Sequence, residues 1–394
     1  MGRVAVIIAT VVLVMLVVCS ASSAVEYKQS TLHFGNLPEI ESIAFKSAFY
    51  GYNSAVNRPV TGGEPAYDYS VHIIKDGGVY RMYAGGRWKR PGVKNADGDH
   101  VMQYVSKTGA AGTWAMPHDR PEFYNGGEDG HEGVWYSGNC LEPEVMKVKG
   151  TYYMYTQVEI DKGQPLDLPG RKSTTGGDRI QLFTSTNGLD WTRFAQRGVV
   201  VNIDSPEQTF LHHEELAYVP WDKDKRPFWL YVAVNENGQF KGYCRIRSAD
   251  PKTFDWKLRE TGAGFSQLGN QLAYAKQAPG GPLFVRITFT GDETGRQVPS
   301  LQFSRNGMEW FSGDDGPIKL DGSKDNANNK NCYFLGISTI DGTGELEYLG
   351  NNTFRAIYGA TTSNSPGGAD IWTSEIGVGE LIFTVKAKGT GHRQ

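Results

Sequence analysis

One seven-residue signature constrains this chain more than anything else in it. Ser185-Thr186-Asn187-Gly188-Leu189-Asp190-Trp191 returns as Ser304-Arg305-Asn306-Gly307-Met308-Glu309-Trp310. Looser copies run from Ser106-Lys107-Thr108 to Trp114 and from Ser248-Ala249-Asp250 to Trp256. In each, a strand ends in serine, a polar turn follows, and tryptophan opens the next strand. Asn-Gly is read as supplying the positive φ angles of a tight hairpin turn, and tryptophan as a large wedge between packed sheets. The four tryptophans stand 77, 65 and 54 residues apart, the spacing of four-stranded units with loops of unequal length.

A second signature accompanies the first. An apolar strand, a turn and an aromatic-rich strand appear as 70–74 with 79–83, 144–148 with 152–155, and 216–219 with 228–231. Degenerate copies are 271–275 with 283–286 and 332–336 with 346–348, 355–359 and 371–372. Short strands repeating in fours suit a β-propeller, whose radial closure protects sheet edges. The expected fold is therefore all-β: a five-bladed β-propeller with four-stranded antiparallel blades. Forty-nine glycines, 12 % aromatic and only 21 % charged residues fit strands and tight turns and argue against helical bundles. A pair of β-sandwiches would not repeat a turn-tryptophan motif so regularly.

The N-terminus reads as a signal peptide. Arg3 precedes an apolar stretch from Val4 to Val18, and Ser22-Ser23-Ala24 forms a small-residue cleavage site. An uncleaved anchor is the alternative, although the apolar stretch falls short of a full span. The domain reading is a signal peptide over 1–24 and one propeller over 25–394. In it, 25–65 leads in, packing beneath the ring or lending a strand to the last blade, and 66–385 forms the blades. The expected location is secreted or periplasmic, with no membrane partner after signal removal. A net charge of −3 and the lack of a long basic tract argue against a nucleic-acid partner. Cys140, Cys244 and Cys332 would remain after cleavage; an odd, widely spaced set is no disulfide framework, and all three read as small buried hydrophobes.

Side chains at the starts of the innermost strands converge on a propeller axis. Those starts are Asp68-Tyr69-Ser70-Val71, Glu142-Pro143-Glu144-Val145, His212-His213-Glu214-Glu215-Leu216, Asn270-Gln271 and Asn331-Cys332. Three successive units thus carry carboxylates, an electrostatically costly cluster. Glycoside hydrolysis uses such groups, one acid protonating the leaving oxygen and one carboxylate acting as base or nucleophile. Surface turn carboxylates are the plainer reading of any one of them.

The pattern resembles the five-bladed propeller glycosidases, most closely glycoside hydrolase family 43, with relatives in families 32, 68, 117 and 130. Asp68-Tyr69-Ser70-Val71 is similar to that superfamily's first-blade motif, with Tyr69 in place of proline. Glu142-Pro143-Glu144-Val145 followed by Tyr152-Tyr153-Met154-Tyr155 is similar to its second, with Glu144 in place of aspartate. The resemblance implies a secreted glycoside hydrolase that cleaves a poly- or oligosaccharide with inversion. Asp68 would be the general base, Glu144 the residue that orients and tunes the acid, and Glu214 or Glu215 the general acid. Glu144, being longer than aspartate, is an alternative acid, and His213 another, since family 117 is thought to use histidine.

Arg87, Trp88, Trp135 and Tyr136 are expected to contact sugar, the last two from a glycine-rich loop just before the second blade. No cofactor is required by the resemblance. In some relatives a histidine near the axis holds a structural calcium through water, which would make His72 that residue here. Two other functions stay open: a non-catalytic glycan-binding propeller, favoured by the altered motifs at Tyr69 and Glu144, and a family-130-like phosphorylase with a phosphate pocket from Arg87, Arg245 and His213. A sialidase would need six blades and a three-arginine clamp.

Overall fold

A computed structural model describes residues 27–52, 56–57, 64–89, 99–110, 112–118, 136–160, 177–193, 201–202, 209–236, 239–261, 272–291, 297–316, 331–337, 339–363 and 375–389. The apolar stretch 4–18 lies outside them, and among the described residues no helix is long and apolar enough to cross a membrane. The described chain is all-β, with one short 3-10 turn at Trp256–Leu258.

Three strands come first: β1 (Lys28–His33), β2 (Ile40–Tyr52) and β3 (Val56–Asn57). A first sheet follows with β4 (Glu64–Asp76), β5 (Val79–Lys89), β6 (Asp99–Ser106) and β7 (Trp114–Ala115). The second holds β8 (Tyr136–Val148), β9 (Thr151–Ile160), β10 (Gly177–Ser185) and β11 (Thr192–Arg193). After β12 (Val201–Asn202), a third sheet holds β13 (Thr209–Tyr218), β14 (Phe228–Glu236) and β15 (Gln239–Ser248), with β16 (Phe254–Asp255) paired to β12. The fourth holds β17 (Leu272–Ala275), β18 (Leu283–Gly291) and β19 (Gln297–Ser304). The last elements are β20 (Asn331–Ile337), β21 (Thr339–Ile340), β22 (Glu347–Gly350), β23 (Thr353–Ser363) and β24 (Glu375–Ala387).

The larger sheets are antiparallel at their centres, with parallel pairing at the margins where β3 meets β7 and β21 meets β4, and the strand counts differ. Among the described residues only β8–β11 forms a plain four-stranded sheet; the third and fourth have three strands each. In the fifth the order is β1-β2-β24-β23-β20, so the N-terminal strands join the C-terminal one. Phe45 pairs with Phe383, and Ser30 with Phe45.

Five apolar clusters lie between neighbouring sheets and explain why the central strands lack a polar face. Ile74 and Tyr83 of the first sheet pack with Val145, Met154 and Trp191 of the second. Tyr155 and Leu182 pack with Leu216 and Leu230 of the third, and Ala217 and Trp229 pack with Leu272 and Phe284 of the fourth. Val285 and Leu301 pack with Phe354 and Phe383 of the fifth, and Ile357 and Val378 of the fifth return to Val71, Met82 and Trp114 of the first. A sheet buried on both faces reads as a continuous apolar run rather than an alternating one. Val71, His72, Ile73 and Ile74 are all buried in this way.

The repeated turn differs from the hairpin expected. Only Gly188 and Gly307 take positive φ (70° and 69°); Asn187 and Asn306 do not. The asparagines act through their side chains. Asn187 Oδ1 accepts from the N–H groups of Leu189 and Asp190, both at 2.9 Å, while Ser185 Oγ accepts from Gly188 at 2.9 Å. Asn306 and Ser304 repeat the pattern on Met308, Glu309 and Gly307. Side-chain oxygens here take the place of a backbone turn bond. Each turn leans on the sheet before it: Tyr83 Oη donates to Gly188 O at 2.9 Å, Tyr155 to Pro251 O, and Tyr231 to Gly307 O at 3.0 Å.

The opposite ends of the inner strands meet one segment, 339–346. Thr339 and Ile340 pair in parallel with Ile74 and Lys75 of β4. Lys147 N–H then donates to Asp341 O, Tyr218 N–H to Thr343 O, and Tyr274 N–H to Gly344 O. One short segment thus touches the first four sheets in order. Gly342 makes this approach feasible, since a Cβ there would sit 2.3 Å from Val145 O, at a φ of +65°.

A charged network ties the third sheet together. Arg247 bonds Asp222 at 2.7 Å and Glu260 at 2.6 Å, and Arg245 bonds Glu260 at 2.7 Å. Burial would raise the carboxyls of Asp222 and Glu260, but the arginine hydrogen bonds outweigh it and both titrate below their ordinary values. A carboxyl lowered in the folded state stabilises fully above its unfolded value and loses that contribution as pH falls through the folded value. Arg247→Gln should therefore cost about 1–3 kcal/mol at neutral pH and less below about pH 4. Urea unfolding at both pH values checks this; an equal cost at both would contradict it.

Candidate functional site

The site is built on one irregularity repeated in three sheets. Between β4 and β5 the register shifts between Tyr69 and His72; between β8 and β9 it shifts between Leu141 and Glu144; between β13 and β14 it shifts between His212 and Glu215. In each case the inner strand holds one extra residue, a β-bulge that re-aims the side chain after it. Pairing resumes at His72↔Tyr83, Glu144↔Tyr155 and Glu215↔Tyr231. Ser70 and Glu142 sit at the same place in their bulges, with φ of 52° and 53°. Non-glycine residues in this left-handed region store strain, which tends to gather where side chains must be aimed for function.

This register corrects the alignment expected from sequence. His72, Glu144 and Glu215 are equivalent, whereas Asp68 pairs with Gly86 and lies level with Cys140 and Leu211. The physical reason lies at the hairpin turn: β4 runs on to Asp76, level with Val148 of β8, before its two-residue turn, so His72 and not Ser70 stands level with Glu144. Asp68, Arg87, Trp88, Tyr136, His213 and Glu214 lie on described strands, but their side chains are outside the described residues, as is the whole of Trp135.

Glu144 and Glu215, at 2 % and 0 % exposed, are buried together with His72 at 1 %. Glu142 is buried too, a position that sequence reasoning did not single out. His72 joins the first two sheets: its Nε2 is 2.8 Å from the Val145 carbonyl oxygen and its Nδ1 is 3.0 Å from Glu144 Oε2. Both ring nitrogens thus face protein atoms, leaving neither for a water-bridged calcium. The donor set does not fit the calcium site that the resemblance allowed, and among the described residues no group of three or more ligating side chains converges.

Glu215 lies in the field of Arg286, Tyr231 and Tyr243. Arg286 is fully buried on β18, with Nε and Nη2 donating to Gln302 Oε1 at 2.9 and 2.7 Å and its guanidinium 4.3 Å from the centre of the Trp310 ring. Sequence reading passed over this arginine, because nothing near it in sequence marks it. Burial lowers its pKa, with Glu215 the foremost opposing influence. Burial likewise raises the Tyr155 and Tyr231 hydroxyls well above their ordinary value, so both stay protonated near neutrality.

Arg245, expected in a phosphate pocket, is committed elsewhere. It bonds Glu260, donates to Asn306 O at 2.8 Å, and stacks 4.2 Å over Trp229. Cys244 is buried, and burial pushes its thiol up to about 12, as expected of an inert small hydrophobe.

No family model matches the chain, and no curated protein matches it. Solved structures do. A glycosyl hydrolase from Bacteroides ovatus aligns at 13 % identity and a TM-score of 0.50, over 84 % of this chain and 94 % of its own. The catalytic domain of a family 62 alpha-L-arabinofuranosidase from Coprinopsis cinerea aligns at 11 % and 0.50, over 86 % and 97 %. A family 117 glycoside hydrolase from the marine bacterium Zobellia galactanivorans aligns at 13 % and 0.50, over 88 % and 96 %. The fold is the one that propeller glycoside hydrolases use. Family 117 is among the relatives that the sequence motifs pointed to. At these identities the likeness concerns the fold, and function must come from the site.

Proposed function

We propose that this chain is a secreted glycoside hydrolase on a five-bladed propeller, cleaving a glycosidic bond in a poly- or oligosaccharide by acid–base chemistry with inversion. The observation that carries the proposal is the repeated bulge, which holds two buried carboxylates, Glu144 and Glu215, at equivalent places on the inner strands of neighbouring sheets. Acidic pairs of this kind are what glycoside hydrolysis requires. The fold supports the same reading, and so do the first-blade and second-blade motifs, which resemble those of family 43. The five inter-sheet clusters support five blades, and Arg3 with the apolar stretch to Val18 supports export.

A non-catalytic glycan-binding propeller is the second reading. The depth at which both glutamates are buried favours it. Phosphorolysis has less support, since Arg245 is held by Glu260 and Asn306.

The test is an assay of residues 25–394 against aryl glycosides and natural oligosaccharides, with and without phosphate, following the product anomer by proton NMR. Hydrolysis with an inverted first product is expected. Retention would refute inversion, and dependence on phosphate would make the chain a phosphorylase. Glycan binding by calorimetry with no turnover on a broad panel would leave the binding propeller.

A further inference from the structure

The geometry points to an aromatic shelf on the third sheet, Phe240 with Tyr243, that binds the flat face of a sugar ring beyond the one being cleaved. As a sugar subsite it rests on the carbohydrate reading above. Phe240 is 57 % exposed, more than any other large hydrophobic among the described residues. Its ring is nonetheless held in place. It meets Tyr243 at a centroid distance of 5.1 Å and an interplanar angle of 69°, an edge-to-face contact. An exposed ring that is already fixed loses little freedom when a ligand settles on it.

A bulge creates the pair. Residues three apart on a regular strand lie on opposite faces. β15 carries one extra residue where pairing passes from Val234↔Gly242 to Asn235↔Phe240, and this turns Phe240 onto the face of Tyr243. Gly242 permits the bulge with a φ of +109°. A Cβ there would meet nothing within 4 Å, so conformation and not space calls for glycine.

Register sets the shelf outside the buried glutamates. Glu215 pairs with Tyr231 and Tyr231 with Arg245, so these three share one face of the sheet. Tyr243, two residues from Arg245, is on that face too and packs against the cluster that holds Trp229 and Tyr231. Along β15, Cys244–Ile246 are buried, Gly242 and Tyr243 half-buried, and Gln239–Lys241 exposed. The hairpin bearing Phe240 lies at the Thr209 end of β13, away from Tyr218, whose N–H meets Thr343 O. At about 3.4 Å per residue, Tyr243 stands about 7 Å and Phe240 about 14 Å farther along the strand direction than Glu215. A ligand reaching both places is a chain of sugars and not a single one. The polar rim fits the same ligand: Lys241 Nζ donates to Gln239 Oε1 at 3.0 Å beside the exposed ring. A sugar offers C–H groups on its flat face and hydroxyls at its edge, which an apolar ring flanked by an amide and an ammonium complements.

The test screens the mature chain, residues 25–394, on a printed panel of plant, algal and microbial oligosaccharides, then titrates the tightest binder by calorimetry. Phe240→Ala should weaken that oligosaccharide by about fivefold or more. Phe240→Leu should weaken it nearly as much, since a branched chain has no flat face, whereas Phe240→Trp should keep or strengthen binding. Gly242→Val should also weaken it, by turning Phe240 off the face of Tyr243. Because Phe240 is exposed, its replacement should leave the dichroism and the urea midpoint in place, so that lost affinity is not lost fold. Equal affinity in Phe240→Ala and the parent chain would overturn the shelf and leave the carbohydrate reading standing. Full affinity in Phe240→Leu would overturn ring stacking. A parent chain that binds nothing on the panel would overturn the carbohydrate reading and the sugar shelf with it.

Discussion

Glu144→Gln should lower kcat on the best glycoside by about 10²- to 10⁴-fold, the range that general acid–base catalysis supplies. Glutamine keeps the volume of the buried side chain beside His72. The amide cannot transfer a proton to a leaving oxygen. Folding should survive, so the far-ultraviolet dichroism and the unfolding midpoint should stay close to those of the parent chain. KM should also change little, because the loss falls on the chemical step and not on substrate binding. Steady-state kinetics with a well-folded variant decides this. A loss below about tenfold would remove Glu144 from the proton path.

Arg286→Met should destabilise the chain by about 1–3 kcal/mol, since it leaves the Gln302 oxygen without its two bonds and withdraws a buried cation from the field of Glu215. Methionine fills much of the arginine's volume against Trp310, so packing accounts for little of the loss. Part of the cost should fall on Gln302, which loses its two bonds, and part on Glu215, which is fully buried. Adding Glu215→Gln to the same chain should restore part of the stability, because a neutral amide tolerates that setting. Urea unfolding of the two single variants and the double measures the coupling. If the two losses simply add, Arg286 and Glu215 do not form an electrostatic unit.

The repeat was legible because each copy needs the same local chemistry. Serine and asparagine must cap the turn, glycine must take the left-handed angle, and tryptophan must fill the gap between sheets. The roles of those residues were partly misread, since Asn187 works through its Oδ1 and not through its φ. The inner-strand register was harder. Ser70 and Glu142 occupy left-handed positions without being glycine, so nothing in the sequence marks the bulges. A usable signal lay at the other end of the hairpins. Gly77-Gly78 and Lys149-Gly150 have positive φ at both turn residues, which fixes two-residue turns. Counting back from them pairs Tyr83 with His72 and Tyr155 with Glu144. Arg286 was invisible for a different reason. Gln302 faces it across one strand pair of the fourth sheet, but Glu215 comes near only when the third and fourth sheets pack.

The pairing of β2 with β24 has a consequence for how the chain reaches its final shape. Phe45 finds its partner, Phe383, only after 338 further residues have been made. A strand of thirteen residues therefore emerges early and keeps an open hydrogen-bonding edge throughout synthesis. Contacts so distant along the chain are slow to form. The middle sheets can assemble as local meanders, but the joining of β2 to β24 must come late. In that interval the nascent molecule is most exposed to pairing with another copy of itself.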